Sequence, residues 1–503
     1  MQDAITPATA DGTLSAPLDA GAAMDALDAA LRSTAADEFE ITVLARAGEY
    51  TRFAGLVIHQ PQDIVEVQYL VRAIVNGHPY RVATSAAADL DRAVAAAAAG
   101  ARDRAELSRE AGRVRLAAAG QAGDPRAGDI RLVAGQPADT RGDGSPGASG
   151  VARTAEPSPP HWYADTAAYD VAARSALARD AMAAAVEAGG EAAGMFGRAV
   201  TQQLVATSAG LRRQIAATEA SGALTVTIDD GTAHWVDLSR SAGRLNLAAS
   251  VARAIAQARA GRGRIDLPAG TYPVVLGAEA VGELLGFLPD VGFSGALAAA
   301  GIGITAQAGQ PLAAPLVDIA DDGGADVGLP IGFDIEGVTK RRVEFFRGGL
   351  VGDAVTDLST AAALGRPSTG HAHIAREQVP EPTAANIVLA AGAGGSEQDL
   401  IAQLERGVYL QRFWYTRLVD RVTGTITGVT RDACFLIEDG RLTTPLNGMR
   451  FTESVLGVLA GVQAVGYDVR SQPIPNVWNG AISAPSLRAA AFRLGAAPIE
   501  PAS

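Results

Sequence analysis

The stretch between residues 117 and 160 constrains this chain more than any other feature. It is built from Gly, Pro, Asp, Ser and Ala with hardly any large apolar residue, so it has little to bury and reads as a disordered linker. Folded structure is therefore expected on either side of it, and the same order of patterns occurs on both. After a flexible tail over residues 1–20, Met24, Leu27, Ala30 and Leu31 share one helical face. Four Val-, Ile- and Tyr-rich runs follow at 38–45, 50–60, 64–74 and 80–84, separated by Ala47-Gly48, Pro61-Gln62 and Asn76-Gly77. They predict four antiparallel strands, with Asn76-Gly77 as a strong hairpin signal. A helix is expected over 87–116. Beyond the linker come a helix over 163–188, short strand-like runs at 195–200, 203–207, 211–217, 224–229 and 233–238, and a helix over 247–260.

Helix, strands and helix thus occur twice. The reading is an α+β protein with two similar α/β units, 21–116 and 161–264, able to share one sheet. Residues 265–500 turn β-rich, and an antiparallel, barrel-like C-terminal domain is expected there. Its few helices fall near 278–288, 359–364, 397–405 and 453–460. Ser396 with Asp399 three residues on forms a capping box for the third of these, which Gly407 stops.

Composition then removes function classes. Forty-two Lys and Arg against 55 Asp and Glu leave a net charge of −13, the wrong sign for a protein that binds by neutralising phosphates. No nucleic-acid partner is expected. The single cysteine, Cys434, excludes an intramolecular disulfide and sites that need two thiolates. It lies between Asp432 and Phe435-Leu436-Ile437, which suits a small buried residue better than a nucleophile. The opening residues carry no basic and apolar leader pattern, and a cytoplasmic location is expected. The longest weakly polar stretch, 291–317, is Ala-rich and broken by repeated Gly, and reads as core or loop and not as a membrane span.

Candidates for chemistry are few. His371 and His373, two apart, would share a strand face as a metal pair requires, with a carboxylate such as Glu377 as a third ligand. In a loop after Ser368-Thr369-Gly370 they read more simply as polar turn residues. Asp334 and Glu336 also share a face if extended and could do acid-base work. Charge pairing with nearby Arg341 or Arg342 is the plainer account. The cluster Asp318, Asp321, Asp322 and Asp326 lacks the ligand spacing of a calcium loop and reads as a turn between strands.

Several segments, taken in order, resemble the TldD/PmbA family of metallopeptidase-related proteins. They include Thr51-Arg-Phe-Ala54 with Ile58-His-Gln60, and Thr271-Tyr-Pro-Val-Val-Leu-Gly277. Phe333-Asp-Ile-Glu-Gly-Val338, Arg347-Gly-Gly-Leu350 and Ser368-Thr-Gly-His-Ala372 follow the family's central signature. Phe435-Leu-Ile-Glu-Asp-Gly440 and Val465-Gly-Tyr-Asp468 continue the match towards the end. The resemblance covers about residues 22–88 and 165–498.

What the resemblance implies is specific. Catalytic subunits of the family carry His-Glu-x-x-x-His on the helix after the Val-Val-Leu-Gly strand, plus a late cysteine, and hold one zinc whose water attacks an amide. In that register this chain has Gly286, Phe287 and Val291, and Cys434 falls too early. Gly282-Glu-Leu-Leu-Gly286-Phe-Leu288 is instead similar to the family's TldE (PmbA) branch, with Phe287 departing from the usual histidine. The resemblance implies a non-catalytic subunit, without a cofactor of its own, in a heterodimer whose TldD-like partner holds zinc and whose substrates are small or unfolded peptides or peptide natural products. Asp334, Glu336, Thr369 and His371 are expected to line the cleft or support it. A stand-alone homodimeric peptide-binding or regulatory protein, and an enzyme with a relocated site at His371, His373 and Glu377, are the alternatives. The family's association with DNA gyrase ranks last because the net charge offers no basic footprint.

Overall fold

A computed structural model describes residues 14–107, 161–375, 379–475 and 477–495. The expected linker, Glu377 and the first thirteen residues lie outside the described residues. The rest of the expected tail is packed, with Leu14 and Leu18 both buried.

The two N-terminal units form one antiparallel sheet. The first supplies α1 (Ala20–Ala30), β1 (Glu38–Ala54), β2 (Val57–Val75), β3 (His78–Thr84) and α2 (Leu90–Leu107). The second supplies α3 (Ala164–Ala167), α4 (Val171–Glu187), β4 (Glu191–Thr207), β5 (Arg212–Ile228), β6 (Gly231–Ser239) and α5 (Leu247–Ala260). The strand order is β3-β2-β1-β4-β5-β6, so the units meet along β1 and β4, paired from Glu40–Thr207 to Phe53–Gly194.

The strands are fewer and longer than predicted, three per unit. Gly48 does not turn the chain; it lies opposite Ile64 and Ala199, and the Tyr50 ring covers the space its side chain would fill. Pro61 is tolerated at the register shift between Tyr50 and Arg52, where no ladder N–H is required of it. The turn falls instead at Gly55-Leu56, both left-handed. Asn76-Gly77 forms the expected hairpin with φ of 52° and 81°. The predicted helix over 163–188 is interrupted, and α4 starts afresh where the Asp170 side chain accepts from Ala173 N–H.

Period-two alternation sorts the two faces of this sheet. Ile41, Val43 and Ala45 pack against α1 and α2, whose buried residues include Leu27, Val94, Ala97, Ala98 and Ala101. Glu40, Thr42 and Leu44 face the C-terminal domain, where Leu44 meets Ile335 and the Thr42 hydroxyl donates to the Ile335 carbonyl.

That domain contains β7 (Gly270–Leu276), α6 (Ala278–Leu285), α7 (Gly295–Ala299), β8 (Ile319–Asp321), β9 (Val343–Arg347), β10 (Leu350–Val351), α8 (Leu358–Ala363), β11 (Ala372–Ala375), β12 (Val379–Pro382) and β13 (Asn386–Leu389). It continues with α9 (Glu397–Ala402), β14 (Arg406–Asp420), β15 (Thr425–Glu438), β16 (Arg441–Pro445), β17 (Arg450–Ser454), α10 (Val455–Ala460), β18 (Val462–Val465), β19 (Arg470–Pro473), β20 (Ala481–Ala484) and β21 (Leu487–Leu494). The capping box at Ser396 and Asp399 is present. One sheet runs β14-β7-β21-β17-β15, and β15 pairs back onto β14, so five strands close a ring. This is the barrel-like element expected of the region. A second sheet has the order β10-β9-β8-β13-β20-β19, and β11 pairs with β12 separately. Between the ring and the second sheet lies a core that includes Phe293, Phe345, Phe413, Phe451 and Phe492. Residues of the 291–317 stretch, among them Val291, Ile304 and Val317, belong to that core. Among the described residues, no helix is long and apolar enough to cross a membrane.

Candidate functional site

The degenerate metal-motif positions Gly286, Phe287 and Val291 fall just beyond the end of the helix α6. The strand before it, β7, is buried at Val274, Val275 and Leu276, and Gly277 leads into the first turn. Ala278, Ala280, Val281, Leu284 and Leu285 anchor the helix in the core, which leaves Glu279 and Glu283, one turn apart, on a common face. Gly286 ends it, and the chain then tightens into a 3-10 turn over Pro289–Val291.

A cleft of about 680 Å³ opens beside this helix. Its walls carry Glu279, Glu283, Phe287 and Asp290 from the α6 segment, His234 from β6, Arg412, Trp414 and Tyr415 from β14, and Gln472 from β19. Two further depressions adjoin it and share lining residues with it. One of about 880 Å³ shares Ala223 and His234 and reaches Arg52, His59 and Met195 on the N-terminal sheet. Another of about 400 Å³ shares Phe287 and Asp290 and is flanked by Arg417 and Arg421. Together they make a trough where the N-terminal sheet and the C-terminal ring meet.

The electrostatics of the cleft are set by a few fixed partners. Glu279 is buried, which pushes its carboxyl up, but His234, Arg470 and Arg412 more than offset this and hold it below the ordinary carboxylate value. His234 Nδ1 lies 2.6 Å from Glu279 Oε2. Burial raises Glu283 and the neighbouring Glu279 adds to the rise, with Thr416 and Arg412 opposing it. The Arg412 guanidinium is paired with Asp432 and stacks on Trp414, which Arg431 covers as well. Tyr415 is 72% exposed and holds φ at 53°, a left-handed position within β14.

The zinc that the family resemblance would bring to this helix does not suit the residues here. Gly286 has no side chain, Phe287 rests against the core, and Val291 is 2% exposed within it. Among the described residues, no group of three His, Cys, Asp or Glu side chains is placed to hold a metal ion.

The residues singled out from sequence lie elsewhere. Asp334 and Glu336 are not on a strand; they sit in a tight loop where Asp334 accepts from the backbone N–H groups of Glu336, Val338 and Ala372. Burial and the neighbouring Glu336 push Asp334 well above the usual carboxylate range. Glu336 pairs with Arg72, and more distantly with Arg81, of the N-terminal sheet, not with Arg341 or Arg342. Arg341 donates instead to the Ser368 carbonyl and Arg342 to Asp322. His371 is completely buried, with Nδ1 at 3.0 Å from Thr369 Oγ1 and Nε2 at 2.9 Å from Asp321 Oδ1. The Thr369 hydroxyl is also bonded to Thr356, so this trio ties loops together inside the domain. His373 turns to the Trp478 carbonyl, and the two histidines therefore have separate partners and form no pair. None of Asp334, Glu336, Thr369 and His371 lines the trough. Cys434 is buried in β15, and burial pushes its thiol up to about 11.

Comparison with known proteins agrees with this architecture. Residues 269–496 match the family described as PmbA/TldA metallopeptidase C-terminal domain. The C-terminal part of the chain, residues 269–496, is thus similar to that family. Among its relatives, the metalloprotease TldD homologue of Haemophilus influenzae is 30% identical over 217 residues, 42% of this chain and 44% of that protein. A Buchnera aphidicola TldD homologue is 29% identical over 206 residues, 40% and 42% of the two chains. The chain thus spans less than half the length of the curated relatives it matches. In fold it is similar to TldE from Thermococcus kodakarensis, with a TM-score of 0.74, 18% identity and coverage of 93% of this chain and 100% of that one. A Thermotoga maritima protein described as a modulator of a DNA gyrase gives a TM-score of 0.71 at 17% identity, covering 91% and 96%.

Proposed function

We propose that this chain is a non-catalytic, TldE-like subunit of a cytoplasmic zinc metallopeptidase, assembled with a TldD-like partner that holds the zinc. The observation that carries this reading is the α6 segment. In the register the resemblance implies, the metal-ligand positions carry Gly286, Phe287 and Val291, two of which are committed to packing, in a fold similar over most of its length to TldE. The trough beside α6 is then a binding surface for peptide, furnished with both carboxylates and aromatic rings. Its substrates are small or unfolded peptides or precursors of peptide natural products.

The test is co-expression with a TldD-like chain carrying His-Glu-x-x-x-His, followed by gel filtration, metal analysis and a peptide-cleavage assay. A stable heterodimer, with zinc and cleavage that both require the partner's motif, is the expected result. Zinc-dependent hydrolysis by this chain alone would overturn it.

A further inference from the structure

The α6 cleft holds one buried charge whose needs are only half met. Glu279 is 4% exposed, and its Oε2 is engaged by His234. Its Oε1, also buried, has no hydrogen-bond partner among the described residues. Buried carboxylate oxygens in this condition are costly, and each calls for an explanation. The cations nearby are already committed. Arg470 is 3.9 Å from Glu279 Oε1 and divides its guanidinium with Glu397 at 3.8 Å, and Arg412 is held by Asp432 and Trp414. One turn along, Glu283 brings a second carboxyl to the same wall. The cleft is also lined by Phe287, from the same segment as the two carboxyls, and by Tyr415 of β14.

We propose that this cleft binds the primary ammonium group of a peptide, whether an α-amino terminus or a lysine side chain, with Glu279 Oε1 as its main acceptor and Glu283 as the second carboxyl. The inference rests on the reading of the trough as a peptide site and names what that site selects. A metal ion is a poorer occupant, because no third side-chain ligand is placed to complete a shell among the described residues. A guanidinium is also poorer. It favours both oxygens of one carboxylate, and His234 has taken one of those of Glu279. An ammonium is a compact charge that accepts a single oxygen from each of two carboxyls and gains from aromatic faces beside it.

The test uses calorimetric titration of the full chain with three probes: Ala-Ala-Ala-amide, N-acetyl-Ala-Ala-Ala-amide, and N-acetyl-Ala-Lys-Ala-amide. The expected result is that one or both ammonium-bearing peptides bind at least about tenfold more tightly than the fully blocked one. Preference for the first identifies an α-amino site and preference for the third a lysine site. Glu279→Gln and Glu283→Gln should each reduce that preference. Should Glu279→Gln fail to fold, Glu283→Gln and the comparison of probes on the unaltered protein decide between the outcomes. Equal binding of all three probes would overturn the ammonium assignment and leave the peptide site standing. So would a preference unchanged in the folded variants. No binding of any probe would overturn both.

Discussion

Arg72 lies between two carboxylates that come from different parts of the fold, Glu40 on the same sheet and Glu336 in the C-terminal domain, and all three are almost fully buried. Burial raises Glu40 above the ordinary carboxylate value, and Arg72, with Arg81 beside it, opposes that rise. Arg72→Met leaves two carboxylates without their shared cation and should lower the unfolding free energy by about 3–5 kcal/mol, read from urea denaturation. A loss below about 1 kcal/mol would show that Arg81 takes over the pairing. A second expectation concerns His373, whose ring is held neutral by burial and by Lys340 nearby, with its value down at about 3. Its unfolded value is 6.5, so the unfolded chain takes up the proton first and stability falls as pH drops below that point. At pH 5 the difference is about 2 kcal/mol. Wild type should therefore lose thermal stability between pH 7 and 5 faster than His373→Gln, and parallel curves would contradict the assignment. That Asp334 and Glu336 need partners is legible in the sequence, because they interrupt an apolar run. That Glu336 finds Arg72, 264 positions away, is not, since only the tertiary fold brings them together.

At the scale of single elements, local chemistry reads well where one residue type has one use. Asn76-Gly77 requires left-handed backbone at two successive positions, and Ser396 with Asp399 satisfies the free N–H groups of a helix start; both appear as predicted. Gly48 and Pro61 mislead for the same reason that makes them useful. Glycine also permits a Tyr50 ring to lie over a strand, and proline also fits a bulge, so neither need end an element. The cleft escapes sequence reasoning because its signal is split. Glu279 and Glu283 are visible at helical spacing, whereas His234 and Arg412 come from strands that join α6 only in the folded chain. The α6 segment also shows why its motif cannot be restored by substitution alone. Gly286→His, Phe287→Glu and Val291→His together would place a polar ring in the core at Val291 and carry it on a tight turn that starts with Pro289. The triple variant should bind well under one equivalent of zinc on metal analysis and melt lower than wild type. A full equivalent would mean that the turn can rewind into helix.

For the molecule as a whole, the sequence patterns predict two repeated units and a β-rich remainder, and they contain no hint of how tightly these parts are joined. The loop around Phe333 inserts its backbone against Gln203 and Arg213, and Ser471 N–H donates to Asp237 across the same boundary. Residue 264 thus marks a change of pattern and not an energetic boundary. The joint between the two N-terminal units has a different consequence. Because β1 and β4 are bonded along nearly their whole lengths, the first unit is held to the rest by a non-covalent seam. The peptide connection between 107 and 161 then serves to deliver the second half, and the seam does the fastening. If so, the protein should survive being made in two pieces. Co-expressed fragments 1–134 and 135–503 should copurify as one species on gel filtration, with the N-terminal piece insoluble when made alone because Leu44, Leu70 and the flank of β1 would be bare. Fragments that fail to associate, each soluble by itself, would show that the covalent thread is the true fastener. Association would turn the seam into a switchable contact, a place where this protein could be assembled on command.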